Sequence, residues 1–160
     1  MSATPITAAV RYYRRGVSKV QWVPTIGDKS APTRAELDAG TELSPETGAV
    51  NGWQITSNTQ DAPALGTTFN AKVFSTTEVG DSSLTIYVSK TGTDVRTLLI
   101  RGTTGFIVWM DEGDVAGSLM DVFPVQVMSQ AKTRDIDALG QVEVQFSIPS
   151  EPAENVVIPA

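Results

Sequence analysis

Apolar and polar residues alternate along several short stretches of the chain, which is the pattern of strands with one buried face. Weaker alternation predicts strands near residues 17–23, 53–57, 69–73, 84–88 and 119–128, the last with Pro124 at an edge, bend or bulge. The clearest stretch alternates Val142, Val144, Phe146 and Ile148 with Glu143, Gln145 and Ser147. Glycine and proline separate these stretches, so the pattern predicts a mainly β fold of short strands joined by turns.

One stretch, Phe106–Met110, is apolar on both faces, which is typical of a central strand covered on both sides. The residues before it predict a short helix over 94–101, because Thr93 can cap its start and Gly102 can end it. We expect this core helix to lie on the sheet and cover one side of the central strand. Its apolar stripe consists of Val95, Leu98 and Leu99.

The length of 160 residues fits a single domain. An irregular N-terminal arm is predicted over 1–16, a long polar loop over 25–52 and an extended segment over 149–160. Inside the loop, Thr33 and Glu36 have the spacing of a capping box, which predicts a single helical turn. Because long loops in compact domains are usually functional, we expect loop 25–52 to contact a neighbouring subunit.

Charge is distributed unevenly along the chain. The first 34 residues carry a net charge of +5 and the remaining residues −11, so the whole chain is acidic at −6. A basic arm can bind nucleic acid, but a net acidic chain opposes affinity for phosphate. The separation also suits self-association, in which the positive end of one subunit meets the negative surface of the next. Charges solvated on unrelated faces explain it equally well.

Composition excludes several kinds of chemistry. The chain has no Cys and no His, so zinc sites built on them, a Ser-His-Asp triad and disulfides are excluded. The acidic stretch Asp111–Asp114 lacks the ligand spacing of an EF-hand and is better explained as a tight turn. Asp121 and Glu143 could form a carboxylate pair for hydrolysis, although a solvated strand face explains them equally well.

No stretch approaches the roughly 20 apolar residues of a membrane-spanning helix, and the first nine residues lack the pattern of a signal peptide. We therefore expect neither membrane insertion nor a cofactor. The three tryptophans, Trp22, Trp53 and Trp109, lie in apolar strand patterns and are interpreted as core residues.

The middle of the chain carries the most distinctive motifs: Asp81–Tyr87, Asp94–Gly102, Gly105–Asp111 and Asp121–Val125. Together with Thr33–Thr41 and the C-terminal stretch to Val156, they resemble the tail tube (major tail) proteins of long-tailed, non-contractile bacteriophages, actinobacterial-phage type. The resemblance implies an antiparallel β-sandwich or partly closed barrel with one short flanking α-helix, a long loop and extended termini.

The same resemblance implies a structural virion protein that is not an enzyme. Such subunits form rings, usually hexameric, that stack into a hollow tail tube through which DNA passes. The implied partners are further copies of the chain, the tape-measure protein, and the tail terminator and initiator proteins. The implied location is the tail of the virion, assembled in the host cytoplasm.

Candidate assembly residues are chosen for charge, aromatic character and position in the arm or loop. Glu143 and Gln145, on the polar face of the clearest strand, are candidates for lining a lumen. A non-catalytic β-sandwich binding module, such as a decoration or adhesion domain, and a β-rich hydrolase remain alternatives. The candidate interface residues are Arg11, Tyr12, Tyr13, Arg14, Arg15, Arg34, Glu36, Asp38, Glu42 and Glu46.

Overall fold

A computed structural model describes residues 3–160, and within that range the fold is mainly β, as predicted. Two short α-helices are present in this range, α1 at Arg34–Asp38 and α2 at Val95–Leu98, with a 3-10 turn at Ser44–Glu46. The strands are β1 (Lys19–Val23), β2 (Thr41–Glu42), β3 (Thr47–Asn51), β4 (Ile55–Ala62), β5 (Ala71–Val79), β6 (Ser82–Tyr87), β7 (Thr104–Met110), β8 (Leu119–Lys132), β9 (Gln141–Ser147) and β10 (Ala153–Val157).

The main sheet is antiparallel throughout and is not closed into a barrel. Its order is β2-β1-β7-β8-β9-β6-β3, and β10 also pairs with β8, while β4 and β5 form a separate hairpin. β8 is long enough to change partners along one edge, from β10 at Leu119–Val122 to β9 from Gln126 onwards. Pro124 lies between the two partners, where a missing backbone N–H is tolerated.

One face of the sheet carries the larger of two core clusters. It includes Trp22 from β1, Ile107 from β7, Phe123 from β8 and Val144 from β9. Trp53 packs edge-on against Phe123, with ring centroids 5.3 Å apart. Helix α2 covers this face through Val95 and Leu99, with Leu98 packed against the cluster, so the predicted role of the core helix is confirmed.

The opposite face carries the second cluster, beneath α1 and the C-terminal segment. Val108 and Met110 of β7 and Val122 of β8 lie in it together with Leu37 of α1 and Ile158. Because β7 contributes to both clusters, the prediction of a central strand covered on both sides is also confirmed. The predicted capping box begins α1: Thr33 accepts from the Glu36 N–H and Glu36 accepts from the Thr33 N–H.

Several predicted boundaries differ from the structure. Helix α2 is shorter than the predicted 94–101, and its N-cap is Asp94 rather than Thr93, because the Asp94 carboxylate accepts from the Arg96 N–H at 2.9 Å. Helix α1 forms where the single helical turn was predicted, so the fold has two short helices rather than the one that the resemblance implies. The strand predicted over 53–57 begins only at Ile55 and extends to Ala62, since Trp53 has a φ of 65°.

The long loop predicted over 25–52 is mostly folded. It contains α1, β2, the 3-10 turn and β3, because its short elements pair with strands that lie far away in sequence. The segment 149–160 is extended as predicted, but it belongs to the core: it forms β10 and buries Val156 and Ile158. Residues 3–13 lack regular structure and are exposed, and the first two residues of the predicted arm lie outside the described range.

Candidate assembly surfaces

A continuous part of the main sheet leaves one face open to solvent. We call it the open sheet: β3, β6, β9 and residues 128–132 of β8. Its exposed face is polar because the register places small and polar side chains side by side, with Thr85 opposite Glu143 and Ser129 opposite Gln145. Ser129 donates a hydrogen bond to Gln145 at 3.1 Å. Glu143 and Gln145, the predicted lumen residues, are therefore neighbours on this face.

Both edges of the open sheet lack a strand partner within residues 3–160. β3 pairs with β6 on one side only. β7 pairs with β8 as far as Gln126, and backbone hydrogen bonds from the connection before β7 reach Val127. Beyond that point the outer edge of β8 is free, and Met128 is 52% exposed.

These edges carry few of the devices that normally prevent strands from pairing between molecules. β3 has the sequence Thr-Gly-Ala-Val-Asn, without charge or proline, and its Val50 is 51% exposed. Residues 128–132 of β8 contain one charged residue, Lys132, at the end of the strand. The other side of this segment is tied to the body, where the Gln130 side-chain amide donates to the Leu99 carbonyl of the α2 C-cap. The two edges are ordered and available.

The β4–β5 hairpin is a second exposed surface. It pairs from Ile55–Val79 at its base to Ala62–Ala71 near its tip, and nearly all its residues are exposed. An isolated two-stranded hairpin is marginally stable in water, and its exposed apolar residues make it a candidate interaction surface. The most exposed are Leu65, Phe69 and Phe74.

Sequence patterns did not identify this hairpin as an assembly surface. Phe69, Ala71 and Val73 were expected to share the core face of a strand. Instead Phe69 precedes β5 and is 75% exposed, and Val73 is 49% exposed. The available signal was composition: both strands are rich in Thr and Ser, and residues 62–71 near the tip carry no charge.

Several of the candidate interface residues have partners within the chain. The Arg34 guanidinium binds both carboxylate oxygens of Asp114, at 2.6 and 2.7 Å, and also contacts Asp38. Lys19 pairs with Glu42 at 3.3 Å, and Arg14 pairs with Asp111. Glu36 closes the capping box of α1. The remaining candidates, Arg11, Tyr12, Tyr13, Arg15 and Glu46, are exposed.

Electrostatic interactions strengthen the contacts that hold α1. The hydrogen bond from Arg34 holds the pKa of Asp114 below its ordinary value, because the ionised carboxylate is the form that accepts it. The pKa of Glu36 is also lowered, chiefly by the Thr33 N–H and then by the Gly27 N–H. Arg96 lowers the pKa of Asp94 at the start of α2 in the same way. These charged groups stabilise local structure.

Three of the carboxylates considered as possible ligands or catalysts have partners within the chain. In the turn after β7, Asp111 pairs with Arg14 and Asp114 with Arg34, and Gly113 has a φ of +87°. Asp121 accepts a hydrogen bond from the Asn155 N–H at 2.8 Å. Within residues 3–160 there is no group of three or more acidic side chains that could hold a metal ion. Nor does this range include a helix long and apolar enough to cross a membrane.

The open sheet, its two free edges and the exposed hairpin are candidate surfaces for association. Residues 6–160 match the family model described as phage tail tube protein, so the chain belongs to the phage tail tube protein family. It is therefore a structural component of a phage tail, a class of protein that assembles with other tail components. No curated protein matches the sequence.

Solved structures support the fold. A chain of the six-fold symmetrised cryo-EM structure of the anti-feeding prophage baseplate is similar, with a TM-score of 0.57 and 10% identity over 94% of this chain and 95% of that one. The crystal structure of the SPP1 Dit protein has a TM-score of 0.43 and 14% identity, and the match covers 84% of this chain and half of that one. Only the first likeness bears on the fold, because the TM-score of the second is below 0.5.

Proposed function

We propose that this protein polymerises into stacked rings that form the hollow tube of a phage tail, through which DNA passes. The observation that carries the proposal is the open sheet, which combines one bare polar face with two strand edges that have no partner in residues 3–160. Family membership supports the same function. The proposed role is structural, with no reaction catalysed.

Strand directions support ring closure through these edges. Each neighbouring pair among β3, β6, β9 and β8 is antiparallel, so β3 and β8 run in opposite directions. A copy rotated about an axis through the lumen brings its β8 edge beside the β3 edge of its neighbour, and the junction is again antiparallel. This is a heterologous contact, which closes into a ring at the correct rotation. Six copies follow from the resemblance, and the hexamer is part of the proposal.

The bare polar face would then line the tube. Glu143 and Gln145 face the lumen in this arrangement, together with Thr85, Asn51 and Ser129. Hydroxyls and amides interact weakly with DNA, and the Glu143 carboxylate repels phosphate. Repetition of this face around the ring gives a wall without a site that holds DNA.

The hairpin and the N-terminal arm would join a ring to the next one. Both project from the body with exposed apolar side chains, Phe69 and Phe74 on the hairpin and Ile6 and Val10 on the arm. Ile55 and Val79 at the base of the hairpin pack against the larger core cluster, but its tip and the arm do not, so these parts can change their surroundings without unfolding the body. The proposed further partners are the tape-measure protein and the tail terminator and initiator proteins, with assembly in the host cytoplasm.

Negative-stain microscopy of the concentrated protein tests the proposal directly. We expect hollow tubes for the wild-type chain, and Ala49→Lys in β3 should abolish them while leaving the monomer folded, because an edge lysine opposes strand pairing. Thr85→Lys is the matched control, since it adds the same side chain to the same face in the middle of the open sheet. Wild-type protein that stays dispersed at every concentration and salt level, also with its initiator complex, would contradict the proposal.

Deletion of residues 1–16 provides a second test. The truncated chain should remain folded, because residues 3–13 contribute nothing to either core cluster. It should no longer polymerise if the arm joins successive rings. Normal tubes from the truncated chain would show that the arm has no part in stacking.

A further inference from the structure

A groove runs along the seam where the curved sheet fails to close. We call it the seam groove. It lies between β1, the 3-10 turn, β3 and the end of β7, and has a volume of about 510 Å³. Its wall is largely apolar, with Val17, Val20, Val50 and Trp109, and Arg15 and Ser44 also line it. Val17 and Val50 remain 37% and 51% exposed, so the groove has apolar surface to bury.

Trp109, one of the residues that line this groove, carries a buried hydrogen-bond donor without a partner. The Trp109 Nε1 atom is buried, yet it makes no hydrogen bond with any group in residues 3–160. Leaving a buried donor unsatisfied is unfavourable, and buried indole N–H groups usually find an acceptor. Trp53, which contacts Trp109, satisfies its own indole N–H by donating to the Ser83 carbonyl at 3.1 Å. The groove therefore offers an apolar surface to which Trp109 contributes.

The N-terminal arm has the complementary properties. In an extended chain, alternate side chains point the same way, which places Ile6, Ala8, Val10 and Tyr12 on one side. That side is apolar, and in the single subunit it is bare: Ile6 is 98% and Val10 95% exposed. Arm residues before Arg11 carry no charged side chain that would oppose burial. When extended, the arm therefore presents one apolar side that has no covering surface in its own subunit.

The arm leaves the body at the rim of its own groove without entering it. Arg14 and Arg15 line the groove, Arg14 is held by its ion pair with Asp111, and Gly16 turns the chain with a φ of +84°. Residues 3–13 are exposed, and none of them lines the groove. Val50 also belongs to β3, whose free edge is proposed to meet the next subunit, so the groove continues the proposed ring junction.

We propose that the seam groove of each subunit binds the N-terminal arm of a second copy, with the apolar side of the arm against Val50 and Trp109. The inference rests on the proposed assembly into a tube, and it names the site that receives the arm. Each copy thus gives its arm to one neighbour and receives an arm from another, in a head-to-tail chain.

The length of the arm limits how far apart the two copies can lie. Residues 3–13 span at most about 36–40 Å when fully extended. Because the arm begins at its own groove, equivalent points on donor and acceptor must lie within that distance. A density map of the tube can be compared with this limit directly.

Disulfide trapping tests the inference, and the absence of native cysteine makes the background clean. One chain carries Ile6→Cys, Ala8→Cys or Val10→Cys, and a second carries Val50→Cys. The two chains are mixed, assembled and oxidised. Mass spectrometry of digested tubes should find a peptide pair that joins an arm position to residue 50. Thr7→Cys and Ala9→Cys, which point to the other side of the extended arm, are matched controls and should cross-link at least several-fold less.

The outcomes separate this inference from the proposed function. Microscopy of the same samples reports whether tubes form. Intact tubes without any link between the arm and residue 50 would overturn the inference but leave the proposed function standing. A link formed within one chain carrying both Val10→Cys and Val50→Cys, without covalent multimers, would show that the arm binds its own groove and would also overturn it. If wild-type protein forms no tubes, the proposed function fails and this inference fails with it.

Discussion

One face of the main sheet is divided into two halves with opposite properties. In the covered half, Val108 and Val122 are fully buried beneath α1 and the C-terminal segment. In the bare half, which is the face of the open sheet, Gln145 and Ser129 lie in solvent-accessible positions. Strand β8 runs through both halves. The register shift between Val127 and Ser129 places Ser129 on the same face of the sheet as Val122.

The comparison shows that a single face can serve both folding and assembly. Burial of apolar side chains in the covered half contributes to the stability of the monomer. The bare half contributes little burial, and its polar side chains are free to line the proposed tube. Substitutions in the first half should therefore change stability, and substitutions in the second should change assembly or transport.

The largest effect on stability is expected from an aspartate placed in the covered half, compared with an aspartate placed in the bare half. Val122→Asp puts a charge among apolar side chains and should cost at least about 4 kcal/mol, enough to unfold much of the protein. Gln145→Asp, on the bare half, should change the free energy of unfolding by about 1 kcal/mol or less. Urea denaturation followed by tryptophan fluorescence measures both. Similar destabilisation by the two substitutions would remove the distinction between the halves.

A smaller effect on stability is expected from weakening the attachment of α1, which covers the buried half of the face. Arg34 attaches α1 to the turn after β7 through Asp114, and Asp114→Asn should cost about 1 kcal/mol at pH 7, since the pair is partly exposed to solvent. The pKa of Asp114 is lower in the folded protein than in the unfolded chain. Its stabilisation is therefore present above the unfolded pKa of about 3.9 and is lost as the pH falls through the folded value.

Comparison of urea midpoints at pH 7 and pH 3 tests this contribution. The wild-type midpoint should fall more between the two values than the Asp114→Asn midpoint, because the variant has no carboxylate to protonate. Arg34→Gln should reduce the same difference. Equal pH dependence in wild type and both variants would show that the Arg34–Asp114 ion pair does not stabilise the attachment of α1.

The smallest effect on the monomer is expected on the bare half. Glu143→Gln should leave the free energy of unfolding within about 0.5 kcal/mol of wild type, because the side chain is partly exposed on a polar face. If Glu143 faces the lumen, neutralising it in every subunit weakens repulsion of DNA and should slow ejection from assembled virions. Unchanged ejection kinetics would count against an electrostatic role for the lumen wall.

The strands that alternate cleanly or are apolar throughout were predictable because local patterns dominate there. β9 follows its alternation from Val142 to Phe146, and α2 buries Val95 and Leu99 as its stripe predicts. Loop 25–52 was not recognisable as structured, because β2 and β3 are stabilised by distant partners in β1 and β6 rather than by their own sequence. The exposure of Phe69 and Val73 was also hidden, because apolar alternation does not reveal whether a covering surface lies in the same subunit.

The sequence by itself determined the local features: the period of each strong strand, the capping box of α1, the turn at Gly113 and the exclusion of cysteine and histidine chemistry. These depend on neighbouring residues, whose spacing fixes side-chain direction and backbone hydrogen bonds. Only the tertiary structure decided which polar face stays bare, which edges remain unpaired and where the seam groove forms. Those features arise from pairing between segments far apart in the chain, and they leave each subunit with surfaces that a neighbour can complete.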